Sequence, residues 1–300
     1  MTNASMSAKM EPVHRPDFII IGAMKSATSS LHVQLASHPG IFMSEPKEPN
    51  FFSDDAEYRR GTEFYQSLFA EAPKGSLRGE SSTHYTKLPD YPHTISRMKA
   101  FAPDVQLIYV MRHPIDRLVS HYIHQWTQNV IRCDINEAVD RYPELIDYGR
   151  YSYQLEPYFE AFGRDSVLPV FFAAVKAHPQ RELERIARFI GYESPIVWKE
   201  DLGAQNVSSE RLRRFKGYGL IVDSPPMTFL RRTFVPQSLR DAVKARLSLR
   251  QRPVLSETKL SRLESIFDED LKTLSSWLGV QLSCKTFDET TVATPLNWAD

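Results

Sequence analysis

Cysteine is scarce in this 300-residue chain: Cys133 and Cys284 are the only two. One distant pair makes neither a disulfide framework nor a zinc-ligand spacing, so a reducing compartment is expected. Net charge is missing too, with 37 basic residues against 37 acidic ones. No global field steers the chain toward nucleic acid or a membrane surface. Long hydrophobic runs are absent, since the longest are of strand length. A bilayer crossing takes roughly 20 apolar residues, so no transmembrane segment is expected. The opening MTNASMSAKMEPVHRP holds no apolar stretch of the kind a secretory signal carries. The expected layout is a disordered arm over residues 1–15 and one domain over 16–300, in the cytoplasm. No repeat is visible, and nothing in the sequence reports an oligomeric state.

What is present is an alternation. Short apolar segments at 17–22, 40–44, 76–81, 105–112 and 166–172 read as strands. Helical patterns lie at 28–37, 61–70, 91–101, 114–129, 152–162 and 178–190. Strands separated by helices predict an α/β fold with a central parallel sheet covered on both faces. Ligands of such sheets bind beyond the carboxyl ends of the strands. Lys25, Glu80 and Arg112 each sit at or just past such an end, so one crevice is expected to gather them. Near the C-terminus, Leu260, Leu263, Ile266, Phe267, Leu271, Leu274 and Leu278 predict an amphipathic helix over 256–279 that packs on the domain. The segment 205–252 carries eleven Lys/Arg against three acids (Glu210, Asp223 and Asp241). It is either a solvated basic face or a lid toward an anionic ligand.

The stretch DFIIIGAMKSATSSL (17–31) looks like an anion cradle. A strand, a glycine turn and a helix start present free backbone N–H groups and the positive end of a helix dipole. Gly22, Ser26, Ala27, Thr28, Ser29 and Ser30 form the loop, and Lys25 adds a point charge. The Walker pattern G-x-x-x-x-G-K-[ST] is nonetheless absent. Counting from Gly22, Ala27 and Thr28 stand where a nucleotide kinase needs glycine and then lysine. A second cationic place follows in VQLIYVMRHPIDRLVS (105–120). Arg112 ends a strand, Pro114 suits a first helical turn, and Ser120 comes eight residues after Arg112. Arginine's fork matches phosphate oxygens, although Asp116 is an alternative partner for it.

Together these segments resemble the sulfotransferases that use 3′-phosphoadenosine 5′-phosphosulfate. GAMKSATSSL is similar to their 5′-phosphosulfate loop, and RHPIDRLVS to their 3′-phosphate motif. PKEPNFF, GESSTHY, YGRYSYQLEPYFEAFG and RIARFIGYE are similar to the branch that acts on heparan-type glycans and to its bacterial relatives. The resemblance covers roughly residues 15–195 and departs at Ala27, where the family usually has glycine. It implies a P-loop-like three-layer sandwich and a carbohydrate or small-molecule acceptor; separately, His93, His113 and His178 have no ligand spacing with the cysteines, so no metal is expected.

The resemblance also implies roles. Lys25 binds the leaving 5′-phosphate oxygen; residues 26–30 hold the 5′-phosphate; Arg112 and Ser120 hold the 3′-phosphate. Glu80 stands at the place of the family's catalytic glutamate, with His84 and His124 as rivals for the base. Lys47 stabilises the transferring group, and Asn206, Ser208 and Arg211 contact the cofactor side. Two competing functions remain: a P-loop-type small-molecule kinase, and a non-catalytic nucleotide- or glycan-binding protein. A missing Walker pattern and a second cation at the end of the fourth strand both speak against the kinase.

Overall fold

A computed structural model describes residues 14–202 and 251–299 of the chain. Five strands form one all-parallel sheet: β1 (Phe18–Gly22), β2 (Ile41–Met43), β3 (Leu77–Ser81), β4 (Gln106–Met111) and β5 (Val167–Phe171). Their spatial order is β2-β3-β1-β4-β5. β1 therefore lies at the centre, between strands reached in opposite directions along the sheet. This reversal opens a crevice at the carboxyl ends of β1 and β4.

The sheet is covered on both faces, which explains why β1 reads FIIIG without polar alternation. Phe18 and Ile20 face one way, into a cluster with Leu31 and Leu35 of α1 (Thr28–Ala36) and Leu183 and Ile186 of α10 (Pro179–Phe189). Ile19 and Ile21 face the other way, into a larger cluster. Its helices include α3 (Gly61–Ser67), α4 (Thr94–Phe101), α5 (Pro114–Thr127), α8 (Tyr151–Phe162) and α11 (Glu257–Leu278). The three layers that the resemblance implies are thus present.

All five expected strands form, and each expected helix forms within a few residues of its expected limits. The sequence reading omitted α2 (Asp55–Tyr58), α6 (Ile135–Arg141), α7 (Glu144–Asp147), α9 (Phe172–Ala177) and α12 (Phe287–Ala293). These run four to seven residues, too short to show a helical period. In α11 the expected stripe packs inward: Leu263, Phe267, Leu271, Leu274 and Leu278 are buried. The basic segment 205–252 lies outside the described residues except for Gln251 and Arg252, as do Asn206, Ser208, Arg211 and most of the N-terminal arm.

Candidate active site at the carboxyl ends of β1 and β4

The loop from Gly22 to Ser30 joins β1 to α1. Gly22 is required by close approach: a Cβ there would stand 2.0 Å from Thr86 Oγ1 and 2.9 Å from the Tyr109 ring. Thr86 in turn donates to the Ile21 carbonyl at 2.9 Å and so seals the strand end. No side chain caps α1, which leaves its first N–H groups for a ligand. Ser26 is fully buried, and its hydroxyl has no hydrogen-bond partner among the described residues. Ala27 adopts the left-handed conformation, φ 65° and ψ 23°, and Lys25 does likewise at φ 72°. The backbone therefore keeps the turn that glycine usually makes, in spite of the alanine. Thr28 is buried, while Ser29 and Ser30 are half-buried.

Arg112 follows β4 and leans back over this loop. Its Nη1 donates to the Lys25 carbonyl at 3.3 Å, so the two cationic segments are in direct contact. Its guanidinium lies 5.0 Å from the centre of the Phe172 ring. Asp116 is a loose partner at 3.8 Å and is also bound by Arg252, while Arg112 Nε has no partner among the described residues. The backbone of Arg112 is held from both sides by Tyr151. That hydroxyl accepts from the Arg112 N–H at 3.1 Å and donates to the Arg112 carbonyl. Ser120 is half-buried two turns along α5. Burial, and then the neighbouring Arg112 charge, lower the pKa of Lys25, with Glu48 acting against both.

Glu48 is the carboxylate beside this pair. Its N–H donates to the Ser81 carbonyl at 2.9 Å, which pins the 45–50 loop to the end of β3. Lys47 Nζ lies 2.6 Å from Glu48 Oε1, and Thr83 Oγ1 donates to the same oxygen at 3.4 Å. Burial, the largest single influence, opposes ionisation of Glu48, but the charge and hydrogen bond of Lys47, with His84 and Lys87, together hold the carboxyl below its ordinary range.

Glu80 is placed differently. It is 0% exposed, beneath the crevice rather than lining it. Burial pushes its carboxyl up to about 7, although the hydroxyls of Tyr85, Tyr65 and Ser82 favour its charge. The Ser82 hydroxyl donates to Glu80 Oε2 at 3.4 Å, and Glu80 Oε1 has no hydrogen-bond partner among the described residues. His84 stacks on Tyr91 at 5.1 Å, and burial pushes it down to about 4. His124 is half-buried in the last turn of α5. The structure thus brings Lys25, Ser26 and Arg112 together, keeps the Lys47–Glu48 pair within electrostatic reach of Lys25, and buries Glu80.

Three residues escaped the sequence reading. Tyr151 positions Arg112. Asp270 of α11 accepts from Ser152 N at 3.0 Å, Ser152 Oγ at 2.6 Å and Tyr153 N at 3.2 Å, and so caps the helix that carries Tyr151. Lys87 is a buried lysine close to Glu48. All three lie in stretches that stand out in the sequence, Tyr151 in YGRYSYQLEPYFEAFG, Asp270 in the amphipathic segment 256–279 and Lys87 in THYTKLP, but no local pattern marks the residue itself. Among the described residues no group of three or more His, Cys, Asp or Glu has the arrangement of a metal site. No described helix is long and apolar enough to cross a membrane.

This geometry has relatives. Residues 15–217 match the model of the sulfotransferase domain. The chain is 28% identical over 213 residues to mouse heparan sulfate glucosamine 3-O-sulfotransferase 3B1, a match over 68% of this chain and 53% of that protein. It is 23% identical over 259 residues to mouse bifunctional heparan sulfate N-deacetylase/N-sulfotransferase 4, over 76% of this chain and 29% of that protein. The chain thus spans about half the length of the first relative and under a third of the second. Among solved structures, a sulfotransferase from Alicyclobacillus acidocaldarius superposes with a TM-score of 0.55 at 25% identity, over 78% of this chain and 96% of that one. The matched span contains the Gly22–Ser30 loop, Glu48 and Arg112, and the chain belongs to the sulfotransferase domain family.

Proposed function

We propose that this protein transfers a sulfuryl group from 3′-phosphoadenosine 5′-phosphosulfate to a hydroxyl or amine of a carbohydrate. The observation that carries the reading is the contact between two cationic anion sites, Arg112 Nη1 on the Lys25 carbonyl at 3.3 Å. A co-substrate with a 5′-phosphosulfate and a separate 3′-phosphate needs two such sites. The donor set fits it: an uncapped helix start, the unpartnered Ser26 hydroxyl and the free Arg112 Nε are all unspent. Heparan sulfate in the names of both curated relatives supports the carbohydrate class of acceptor.

The roles follow from charge and position. Lys25 and the loop amides hold the 5′ group, and Lys25 meets the charge that grows on the leaving oxygen. Arg112, with Ser120 along α5, holds the 3′-phosphate. Positioning and charge stabilisation do most of the work in such displacements, by analogy with phosphoryl transfer. The acceptor loses its proton as its bond to sulfur forms, and a carboxylate in the crevice takes that proton. Glu48 fits this role better than Glu80, because it shares the field of Lys25 while Glu80 is sealed in the core. Lys47, 2.6 Å from Glu48, adds positive charge beside the transferred group.

Calorimetry tests the reading. Adenosine 3′,5′-bisphosphate should bind well, and magnesium–ADP weakly or not at all. Arg112→Ala should weaken the bisphosphate at least about tenfold, a loss of about 1.4 kcal/mol. Preference for magnesium–ADP, or an Arg112→Ala protein with unchanged bisphosphate affinity, refutes it.

A further inference from the structure

Arg117 has no part in the roles assigned above. It ends the first turn of α5, where its N–H donates to the His113 carbonyl at 2.9 Å, and it is 0% exposed. Its Nη2 donates to the Leu145 carbonyl of α7, and its Nη1 lies 3.5 Å from His121 Nδ1. Its Nε has no hydrogen-bond partner among the described residues. No carboxylate pairs with it among the described residues either; Asp116, the residue before it, is bound by Arg252 and loosely by Arg112 instead. The ring that meets it is neutral: His121 stacks on Tyr148 at 5.6 Å, and burial, then the Arg117 charge, push it down to about 2. A buried cation without a counterion is costly, and an uncharged side chain of similar size is commonly as stable or more so.

Contacts and helix register place this charge behind the residues assigned to the 3′-phosphate. Arg112 immediately precedes the turn that Arg117 completes. Ser120 follows Arg117 by three residues, so their Cβ atoms are neighbours on the surface of α5, about 5–6 Å apart. Gly149 approaches from the other side. A Cβ there would stand 3.0 Å from Arg117 Nε and 3.1 Å from the Phe267 ring, so the close approach requires glycine. Two residues further on is Tyr151, whose hydroxyl holds both backbone groups of Arg112. The guanidinium is therefore wedged between the first turn of α5 and the backbone that leads to Tyr151.

We infer that the counterion of Arg117 is the 3′-phosphate of the co-substrate, and that Arg117 supplies buried positive charge to that site without touching the ligand. The inference rests on the proposed sulfuryl transfer. The chain bears the cost of the unpaired charge while the site is empty, and the arriving dianion relieves it. In low-dielectric surroundings the attraction carries across a helical turn, and salt screens it far less than it screens an exposed charge. Arg117 is thereby a specificity-determining residue: it favours nucleotides that carry a 3′-phosphate over those that lack one.

Calorimetry with adenosine 3′,5′-bisphosphate and with adenosine 5′-phosphate tests this without turnover. Two neutral variants, Arg117→Met and Arg117→Gln, should fold with cooperative melting transitions. Each should lose about tenfold or more in bisphosphate affinity and less than about threefold in monophosphate affinity, with the bisphosphate loss as large at high salt as at low salt. Arg117→Lys keeps the charge without the fork and should recover most of the bisphosphate affinity. A role in structure alone would weaken both nucleotides alike and would not be rescued by lysine. Equal losses on the two nucleotides, no loss on either, or an Arg117→Lys protein no better than Arg117→Met overturn the inference. So does failure of both neutral variants to fold, which would make Arg117 a structural residue. The parent protein separates this from the larger reading. If it prefers the bisphosphate and the neutral variants keep that preference, only the role of Arg117 fails; if it shows no such preference, the proposed function itself fails.

Discussion

The Tyr151 hydroxyl closes both backbone hydrogen bonds of Arg112, accepting from its N–H and donating to its carbonyl. Tyr151 opens α8, and the N–H groups of the next two residues bind Asp270 of α11. The C-terminal helix therefore fixes the start of α8, α8 fixes Tyr151, and Tyr151 fixes the strand end from which Arg112 reaches the loop. A helix that reads in sequence only as a packing element also supports the proposed anion site.

Removing that hydroxyl isolates its contribution. Tyr151→Phe keeps the ring, which packs edge-on to Tyr109 at 5.9 Å, and leaves two part-buried backbone groups of Arg112 without that partner. Each orphaned group costs about 1–3 kcal/mol. The variant should unfold at lower denaturant and bind adenosine 3′,5′-bisphosphate about three- to tenfold more weakly. Unchanged midpoint and unchanged affinity would show that Arg112 is held by other contacts.

Most of the framework was legible in the sequence because it is local. Four of the five strands are short, mostly apolar runs, β3 (LRGES) being the exception, and each longer helix shows its period. The candidate anion loop was legible for the same reason, since Gly22 to Ser30 are contiguous. Two things were not. The Tyr151 contact joins residues 39 apart and the Asp270 cap residues 118 apart, and no local pattern encodes either. The direction of a strand-end side chain was hidden as well. Glu80 and Ser81 are adjacent, so the pleat sends them to opposite faces. Ser81 turns toward His32 of α1, with its hydroxyl 2.9 Å from Nδ1, and Glu80 turns into the opposite core.

Ala27 offers a gain rather than a loss. A left-handed residue with a Cβ costs about 1–2 kcal/mol. Glycine relieves that cost but gives back about 0.5–1 kcal/mol in unfolded-chain entropy. Ala27→Gly should therefore stabilise the protein by several tenths to about 1 kcal/mol. Bisphosphate affinity should hold or rise, because the turn is already formed at φ 65°. Chemical denaturation of the two proteins checks the sign. A destabilised glycine variant would mean that the alanine methyl makes packing contacts worth more than the backbone cost.

The two carboxylates make opposite demands on pH. Glu80 has its folded value raised to about 7 from an ordinary 4.5, so the folded state holds a proton that the unfolded chain releases. Its stabilising contribution is complete below about 4.5 and is lost as pH rises through about 7. Glu80→Gln should abolish that decline, leaving the variant more stable than the parent at pH 8 by on the order of 2–3 kcal/mol. Glu48 is held below its ordinary range and is already ionised at neutral pH. With Glu48 as base, kcat/KM should show no acidic limb near 7, and Glu48→Gln should reduce turnover about a hundredfold or more with bisphosphate affinity retained. With Glu80 as base, activity would fall below about pH 7, and Glu80→Gln would be the inactive variant. The first pattern is the one expected if the base is the carboxylate that lies against Lys47 at 2.6 Å and whose charge reaches Lys25.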